Sequence, residues 1–355
     1  MKKCIALAKK SEGKTAPNPL VGAIVLDKNG EIAGTGRHEK YGQAHAEVNA
    51  INAAGERAKG GTIIVNLEPC SHYGKTPPCA DLIIKTGIKK VVVGMVDPNP
   101  LVAGKGIKKC QDEGIEVITG VLEKECKELN EIFIKNQTAK TPFIAIKTAT
   151  TLDGKIAAAN GSSKWITGEK SRACVQKLRN KYDAILTGSN TVITDNPSLT
   201  ARTKGGINPK RIIIDSQLKT PADAKVYIDD GTPVYIAVEN TKAAAARKKY
   251  PSNVTIIPCP LKDGKTDLHS LIKALWNEKI TSIMVEAGGM LNGAFVKEGL
   301  AHKLYKFTAP KILGDNNAKS WICCINTVDI NDSLRLKNTS VKTFGEDTLL
   351  TGYFI

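Results

Sequence analysis

A histidine, a glutamate and two later cysteines constrain this chain more than any other feature of its sequence. His45 and Glu47 are separated by one residue, Cys70 follows a proline, and Cys79 comes after eight intervening residues. One imidazole and two thiolates are common zinc ligands, and a catalytic zinc takes three protein ligands and leaves the fourth position to water. We therefore expect the fold to bring these four side chains together, with His45, Cys70 and Cys79 as the metal ligands.

The carboxylate beside the first ligand indicates a catalytic site. An H-x-E pair with a later Pro-Cys and a second Cys is the pattern of zinc-dependent base deaminases, in which the glutamate transfers protons and is not a ligand. Glu47 is therefore the predicted catalytic residue. Two alternatives stay open: His72 as a fourth ligand would make the site structural, and Cys70 with Cys79 could form a redox pair, although their spacing is not C-x-x-C.

Length and composition bound the remaining possibilities. A chain of 355 residues suggests two domains, and we place the boundary at Thr141-Pro142, giving domains 1–141 and 142–355. No apolar run approaches the roughly 18 residues that span a bilayer, so no membrane association is expected. Nine cysteines without a regular spacing favour a reducing, cytoplasmic location.

The net charge of +16 is a possible sign of nucleic-acid binding. The excess is dispersed, and residues 146–355 hold 30 basic against 19 acidic side chains, a net charge of +11. Aromatic residues that could stack on bases make up only 5% of the chain. Phosphorylated small molecules explain the sign of the charge equally well, and we expect no nucleic-acid partner.

Apolar periodicity and turn residues predict a mixed α/β architecture with helices on both sides of a sheet. Residues 2–12 and 122–136 are each expected to form one helix. Residues 21–26 and 31–36 are expected to pair as a hairpin around an Asn-Gly turn. Near the C-terminus, 303–312 and 333–355 are expected to add antiparallel edge strands.

The second half contains no G-x-G-x-x-G dinucleotide motif. It does contain Gly288-Gly289-x-x-x-Gly293 between a predicted strand and a predicted helix. Glycines at such a position let backbone amides approach a phosphate at a helix N-terminus. A plain tight turn explains the same residues equally well, so both interpretations stay open.

Several motifs resemble the bifunctional riboflavin-biosynthesis deaminase/reductases, and together they cover nearly the whole chain. In the first half these are Thr15–Gly22 (TAPNPLVG), His45–Val48 (HAEV) and Glu68–Cys79 (EPCSHYGKTPPC). In the second half they are Leu152–Ala157 (LDGKIA), Trp165–Gly168 (WITG), Asp195–Arg202 (DNPSLTAR) and Val285–Gly289 (VEAGG). The wide cysteine spacing fits this family and not the C-x-x-C deaminases of nucleosides or tRNA.

The resemblance implies a cytidine-deaminase-like three-layer α/β/α domain followed by a dihydrofolate-reductase-like α/β domain. The first would use one zinc ion to hydrolyse an exocyclic amine of 2,5-diamino-6-(5-phosphoribosylamino)pyrimidin-4(3H)-one. The second would use NADPH to reduce the ribosyl side chain of the product to ribityl. A homo-oligomer, dimer or tetramer, is also implied.

Matching positions imply roles for individual residues. Asn18 would line the pyrimidine pocket. The cofactor-binding positions would be Ala149, Trp165, Thr191, Asp195, Ser216, Gly288, Gly289, Met290, Leu291, Asn292, Gly293 and Ala294. The substrate-binding positions would be Ser163, Arg179, Leu199, Arg202 and Glu286, with the two arginines on its phosphate. Departures from the family pattern are Lys75, Thr151, Gln176 and Ala287, and none of them removes a metal ligand.

Two other functions compete with this one. A deaminase acting on nucleic acid predicts a C-x-x-C pair and base-stacking aromatics, and the sequence has neither. A zinc-stabilised binding protein without catalysis would not need Glu47.

Overall fold

The computed structural model describes residues 1–71, 77–100 and 102–355. The chain forms two compact units, Met1–Lys140 and Thr141–Ile355, so the division falls one residue before the expected boundary. Each unit contains its own β-sheet and its own buried apolar cluster. Among the described residues, no helix has the length and apolar character needed to cross a membrane.

The first unit alternates helices and strands after an initial hairpin. Its elements are α1 (Lys2–Lys9), β1 (Gly22–Leu26), β2 (Ile32–Arg37), α2 (Ala46–Ala54), β3 (Thr62–Leu67), α3 (Cys79–Thr86), β4 (Lys90–Met95), α4 (Lys105–Asp112), β5 (Glu116–Ile118), α5 (Glu123–Leu129) and α6 (Glu131–Ala139). The sheet order is β2-β1-β3-β4-β5. The β1–β2 hairpin is antiparallel, as expected, and β3, β4 and β5 are mutually parallel.

The prediction of a single helix over 122–136 was wrong. The structure has two helices, α5 and α6, which meet at Asn130. The side chain of Asn130 is buried, accepts a hydrogen bond from Leu20 N at 2.8 Å and donates one to Leu20 O at 3.1 Å. These long-range bonds hold Asn130 against the chain near Leu20, and such tertiary contacts override the local helix propensity. Helix α1 is also three residues shorter than expected.

The second unit is built around a larger sheet. Its elements are β6 (Phe143–Thr150), β7 (Lys155–Ala157), α7 (Glu169–Lys181), β8 (Ala184–Gly188), α8 (Ser189–Asp195), β9 (Lys210–Ile214), β10 (Val234–Glu239), α9 (Ala243–Lys249), β11 (Val254–Cys259), β12 (Leu261–Lys262), β13 (Lys265–Thr266), α10 (Leu268–Asn277), β14 (Ser282–Val285), α11 (Gly289–Lys297), β15 (Lys303–Thr308), β16 (Lys319–Ser320), β17 (Leu336–Phe344) and β18 (Asp347–Phe354). The nine-stranded order is β11-β10-β9-β8-β14-β6-β15-β18-β17.

The C-terminal strands were predicted only in part. Strands β17 and β18 form an antiparallel hairpin at one edge of the sheet, as expected. Strand β15 was expected to be antiparallel as well; it is antiparallel to β18 on one side, but parallel to β6 on the other. Helix α11 connects β14 to β15 as a crossover, and strands joined in this way run parallel. The carboxyl ends of β6, β8, β9 and β14 consequently lie at one edge of the sheet, where ligand sites of α/β folds occur.

Candidate active sites

The structure brings the three predicted metal ligands together in the first unit. Nδ1 of His45 lies 3.3 Å from Sγ of Cys79 and 3.6 Å from Sγ of Cys70. One ligand atom from each residue falls within 4.8 Å of the other two. His45 is the N-cap of α2, Cys70 follows β3, and Cys79 begins α3. One imidazole and two thiols at this spacing fit a zinc ion.

Hydrogen bonds favour the thiolate form of Cys70. The thiol of Cys79, then the imidazole of His45 and the backbone N–H of Cys79, lower the pKa of Cys70 to about 4. The Cys79 pKa is raised, because its proton is shared with Cys70 and because it is buried. The hydrogen bond to Cys70 raises the pKa of His45. A thiolate is thus favoured where zinc needs one.

Glu47 lies in the first turn of α2 and is buried beside this cluster. Burial, and then the charge of Cys70, raise the pKa of Glu47 to about 7. A cation held by the three ligands would oppose that shift. A buried carboxylate next to three metal ligands is the arrangement required for proton transfer at a metal-activated water. The alternative ligand His72 and the departure Lys75 lie outside the described residues.

Asn18 is held by a histidine that sequence reasoning missed. Its Nδ2 lies 3.1 Å from Nε2 of His38, and Nδ1 of His38 lies 3.1 Å from the carbonyl oxygen of Ala44. A carbonyl can only accept, so Nδ1 carries the proton and Nε2 accepts from the Asn18 amide. Burial lowers the pKa of His38, which keeps this arrangement neutral and fixes the orientation of Asn18.

Glu68 is a second residue that the sequence did not single out. Its buried carboxylate accepts hydrogen bonds from four backbone N–H groups: Asp97 at 3.1 Å, Gly104 at 3.0 Å, Gly106 at 2.9 Å and Ile107 at 3.4 Å. Because Glu68 stands two residues before Cys70, it ties the start of α4 to the chain that carries a metal ligand.

The second unit contains a cavity of about 1470 Å³ at the carboxyl ends of its parallel strands. Every predicted cofactor and substrate residue of this unit lines that cavity, with the exceptions of Asn292 and Gly293. The predicted positions, which are spread from Ala149 to Ala294, are therefore brought to one place. A cavity of this volume is larger than an ordinary ligand pocket and has room for a dinucleotide together with a second ligand.

An ion-pair cluster occupies the strand ends in this cavity. The carboxylate of Glu286 accepts hydrogen bonds from Nε and Nη2 of Arg179 at 2.7 and 3.1 Å, and from Nζ of Lys147 at 3.3 Å. Burial opposes the charged form of Glu286, but Arg179 and Lys147 outweigh it and lower the Glu286 pKa to about 2. Lys147 was missed, although a lysine within the apolar strand β6 was the available signal.

Asn292 and Gly293 support α11 instead of facing the cavity. Nδ2 of Asn292 donates to Trp321 O at 2.8 Å and to Ala287 O at 3.2 Å. A Cβ on Gly293 would lie 1.9 Å from Cys323 O. The third glycine of the Gly-Gly-x-x-x-Gly pattern is therefore required by the close approach of the 321–323 segment. Their predicted cofactor contacts find no support in this geometry.

Trp165 projects from the rim of the cavity. Its side chain is 63% exposed, so it does not pack in the core. The guanidinium carbon of Arg172 lies 4.7 Å from its ring centroid. Nζ of Lys311 donates to Trp165 O at 2.8 Å. One face of the ring is thus covered by a cation.

Comparison with known proteins matches both units. The model of the family described as cytidine and deoxycytidylate deaminase zinc-binding region matches residues 1–95, and that of the RibD C-terminal domain matches residues 142–350. The riboflavin biosynthesis protein RibD of Aquifex aeolicus is 44% identical over 353 residues, which are 99% of this chain and 96% of the relative. That of Actinobacillus pleuropneumoniae is 42% identical over 351 residues, 99% of this chain and 93% of the relative.

Solved structures give the same result. A diaminohydroxyphosphoribosylaminopyrimidine deaminase/5-amino-6-(5-phosphoribosylamino)uracil reductase from Thermotoga maritima superposes with a TM-score of 0.88 at 40% identity, covering 100% of this chain and 97% of the other. Acinetobacter baumannii RibD superposes with a TM-score of 0.87 at 36% identity, with the same coverage. These matches confirm the expected order of a cytidine-deaminase-like domain and a reductase domain. The chain belongs to the RibD family of riboflavin-biosynthesis proteins, bifunctional enzymes that combine a deaminase and a reductase in one polypeptide.

Proposed function

We propose that the two units act in sequence on one phosphorylated pyrimidine. The first hydrolyses an amine of 2,5-diamino-6-(5-phosphoribosylamino)pyrimidin-4(3H)-one, and the second reduces the ribosyl side chain of the product to ribityl with NADPH. The observation that carries this proposal is the cluster of His45, Cys70 and Cys79 around the buried carboxylate of Glu47. The printed name of the similar Thermotoga maritima protein describes the same pair of activities.

In the deaminase site, His45, Cys70 and Cys79 would hold zinc, which supplies Lewis-acid activation of the attacking water. Glu47 would accept a proton from that water and pass it to the leaving amine. The amide of Asn18, oriented by His38, would hydrogen-bond to the pyrimidine. Ammonia is then released without any requirement for the reductase cofactor.

In the reductase site, NADPH would supply hydride to C1 of the ribosyl group, and the protein would orient both reactants. Gly288 is the N-cap of α11, and Gly289, Met290 and Leu291 begin the helix. A helix N-terminus with exposed amides favours the cofactor pyrophosphate. Trp165 would cover the cofactor at the rim, and Ala149, Thr191, Asp195, Ser216 and Ala294 would contact it along the cavity.

The substrate phosphate would be bound chiefly by Arg202. Arg179 was expected to share that contact, but its guanidinium is already bound to Glu286 and to Thr200 O at 3.1 Å. Arg202 faces the cavity, and its backbone N–H donates to Oε1 of Gln176 at 3.0 Å. Ser163, Leu199 and Glu286 would complete the substrate contacts around it.

A two-stage assay of the purified, zinc-loaded full chain tests the proposal. The diamino substrate is first incubated without nucleotide and ammonia is measured; NADPH is then added and its oxidation is followed by absorbance. We expect ammonia in the first stage, and NADPH oxidation only after deamination. Absence of ammonia would contradict the deaminase assignment, and ammonia without later NADPH oxidation would contradict the reductase assignment.

We further propose that the enzyme acts on free nucleotide analogues and not on nucleic acid, that it is cytoplasmic, and that it is a homo-oligomer, dimer or tetramer. All nine cysteines are free, which supports a reducing compartment. The outermost strand β17 is long and mostly exposed, and such an edge can pair with a second copy. Light scattering would give the oligomeric state, and release of ammonia from cytosine-containing or adenine-containing oligonucleotides would contradict the assigned substrate class.

A further inference from the structure

Two exposed lysines, Lys219 and Lys225, line the reductase cavity, as Ser216 does. We propose that they bind the 2′-phosphate of NADPH and make the enzyme prefer NADPH to NADH. The inference rests on the proposed reductase function and deepens it. The 2′-phosphate is the one group that distinguishes the two nucleotides, and basic side chains beside the adenosine ribose are the means of recognising it.

The order of the strands directs the adenosine end of the cofactor toward these lysines. In the proposed reductase site the reacting end lies near Glu286, which follows β14, and Lys147, which lies within β6. The pyrophosphate is favoured at the N-terminus of α11, which follows β14. In the sheet order β6-β14-β8-β9, the direction away from β6 leads to β9. Strand β9 lies two strands, or about 10 Å, from β14. Ser216 and Lys219 follow β9 directly.

The loop that carries Lys219 is fixed by a buried aspartate. The carboxylate of Asp215 accepts Lys219 N at 2.9 Å, Thr220 N at 2.7 Å, Thr220 Oγ1 at 2.7 Å and Tyr250 Oη at 3.0 Å. Because four donors surround this carboxylate, it remains bound to its own loop. The chain beyond is fixed as well, since Lys225 N donates to Oδ1 of Asn196 at 2.9 Å. The two lysine side chains are left directed to the cavity and solvent.

Two further lysines add positive charge on the side of the Ser216–Thr220 loop that faces α9. Nζ of Lys249 donates to Leu218 O, and Nζ of Lys242 donates to Oε1 of Gln217. Both lysines lie on or next to α9, so they add positive charge behind the loop while holding its backbone. Glu239 pairs with Lys242 at 3.7 Å and offsets part of that charge. Part of the excess of basic residues in the second half is thereby explained.

Steady-state kinetics of the full chain, with the deaminated substrate supplied directly, test this assignment. The variant carries Lys219→Gln and Lys225→Gln together. We expect the Kd for NADPH, measured by calorimetry without substrate, to rise at least about tenfold and kcat/KM for NADPH to fall in parallel, the scale of a lost hydrogen bond to a charged group. The value for NADH and the KM for the substrate should stay at wild-type levels.

Lys319→Gln is the matched control. Lys319 is an exposed lysine of the same cavity, but it pairs with Ala157 in a two-stranded ribbon with β7, which follows β6. Strand β6 is three strands or about 14 Å from β9. Its loss should leave the ratio of the two kcat/KM values unchanged.

The outcomes are distinct. An unchanged NADPH-to-NADH ratio in the double variant, or an equal fall for both nucleotides, would overturn the proposal. A rise confined to the KM for the substrate would also overturn it and would assign the lysines to the substrate phosphate. Wild-type enzyme that oxidises neither nucleotide would instead contradict the reductase function itself. Retained NADH activity shows that the double variant is folded.

Discussion

Glu286 accepts two hydrogen bonds from the guanidinium of Arg179, at 2.7 and 3.1 Å, so the carboxylate and the guanidinium form a bidentate pair. Both side chains are mostly buried, with 10% and 14% exposed. Nζ of Lys147 approaches the same carboxylate at 3.3 Å. Arg179 on α7, Lys147 within β6 and Glu286 just after β14 thus place two positive charges and one negative charge together.

Substitution Glu286→Gln should destabilise the second unit. It leaves the two cations without a compensating charge in a buried place, which costs about 3 kcal/mol of unfolding free energy. Denaturant titration measures the change, and ammonia release should be unaffected because it depends on the other unit. Glu298→Gln is the control: Glu298 pairs with Lys262 at 3.4 Å near the surface, so a change below about 1 kcal/mol is expected. Equal losses in both variants would contradict this account.

The same carboxylate predicts a dependence of stability on pH. The pKa of Glu286 falls from an ordinary 4.5 to about 2 in the folded chain. A lowered pKa gives stability that is complete above pH 4.5 and is lost as the pH falls toward 2. The loss is on the order of 3 kcal/mol. Unfolding titrations at several pH values within this window should show a steeper decline for wild type than for Glu286→Gln; parallel declines would be inconsistent with the assignment.

In the deaminase, Glu47→Gln should separate metal binding from catalysis. The amide cannot exchange a proton with the attacking water, so ammonia release should slow at least about 100-fold. Zinc content, measured by elemental analysis, should remain one ion per chain. Reduction of directly supplied deaminated substrate should proceed at the wild-type rate, and a parallel loss of zinc would show that Glu47 has a different role.

Cys79→Ser tests the metal site itself. Cys79 contributes one of three ligand atoms, so the variant should lose zinc and deamination together while NADPH oxidation persists. Cys174→Ser removes a half-buried cysteine of the second unit and should leave zinc content unchanged. Full zinc retention in the Cys79 variant would exclude this residue as a ligand.

Two glycines of α11 should respond differently to alanine. A methyl at Gly293 would meet Cys323 O at 1.9 Å, whereas a methyl at Gly288 has no protein atom within 4 Å. Gly293→Ala should therefore lower the melting temperature. Gly288→Ala should leave that temperature unchanged and raise the KM for NADPH, because the methyl would enter the space that we propose for the cofactor. Equal melting temperatures for the two variants would refute the distinction.

Most regular elements could be predicted from the sequence because they depend on local spacing, and the zinc cluster could be predicted because its residue types and their order are typical of a zinc deaminase site. His45, Cys70 and Cys79 follow a short pattern, and the β1–β2 hairpin follows an Asn-Gly turn. The break at Asn130 could not be predicted, since it depends on bonds to Leu20 across 110 positions of chain. The partners of Asn18 and Glu286 were missed for the same reason: His38 and Lys147 lie elsewhere in the sequence and meet them only in the fold.

The antiparallel pairing of β15 with β18 was predicted, but its parallel pairing with β6 was not, for a related reason. The strand residues were recognised, but whether they run parallel or antiparallel depends on the path of α11 between β14 and β15. The apolar pattern of a strand contains no information about its direction. The role of Arg179 changed likewise, because only the folded chain shows that Glu286 already binds it.

Glu68 has a consequence for how this chain can change in evolution. Its carboxylate joins the end of β3 to backbone groups of Asp97, Gly104 and Gly106. Surface connections ordinarily tolerate gained or lost residues. Here a change of length between Asp97 and Gly106 would displace the donors from a buried acceptor, leaving the carboxyl group of Glu68 without its hydrogen bonds beside the strand that leads to Cys70. We expect this connection to keep its length while its exposed side chains vary freely.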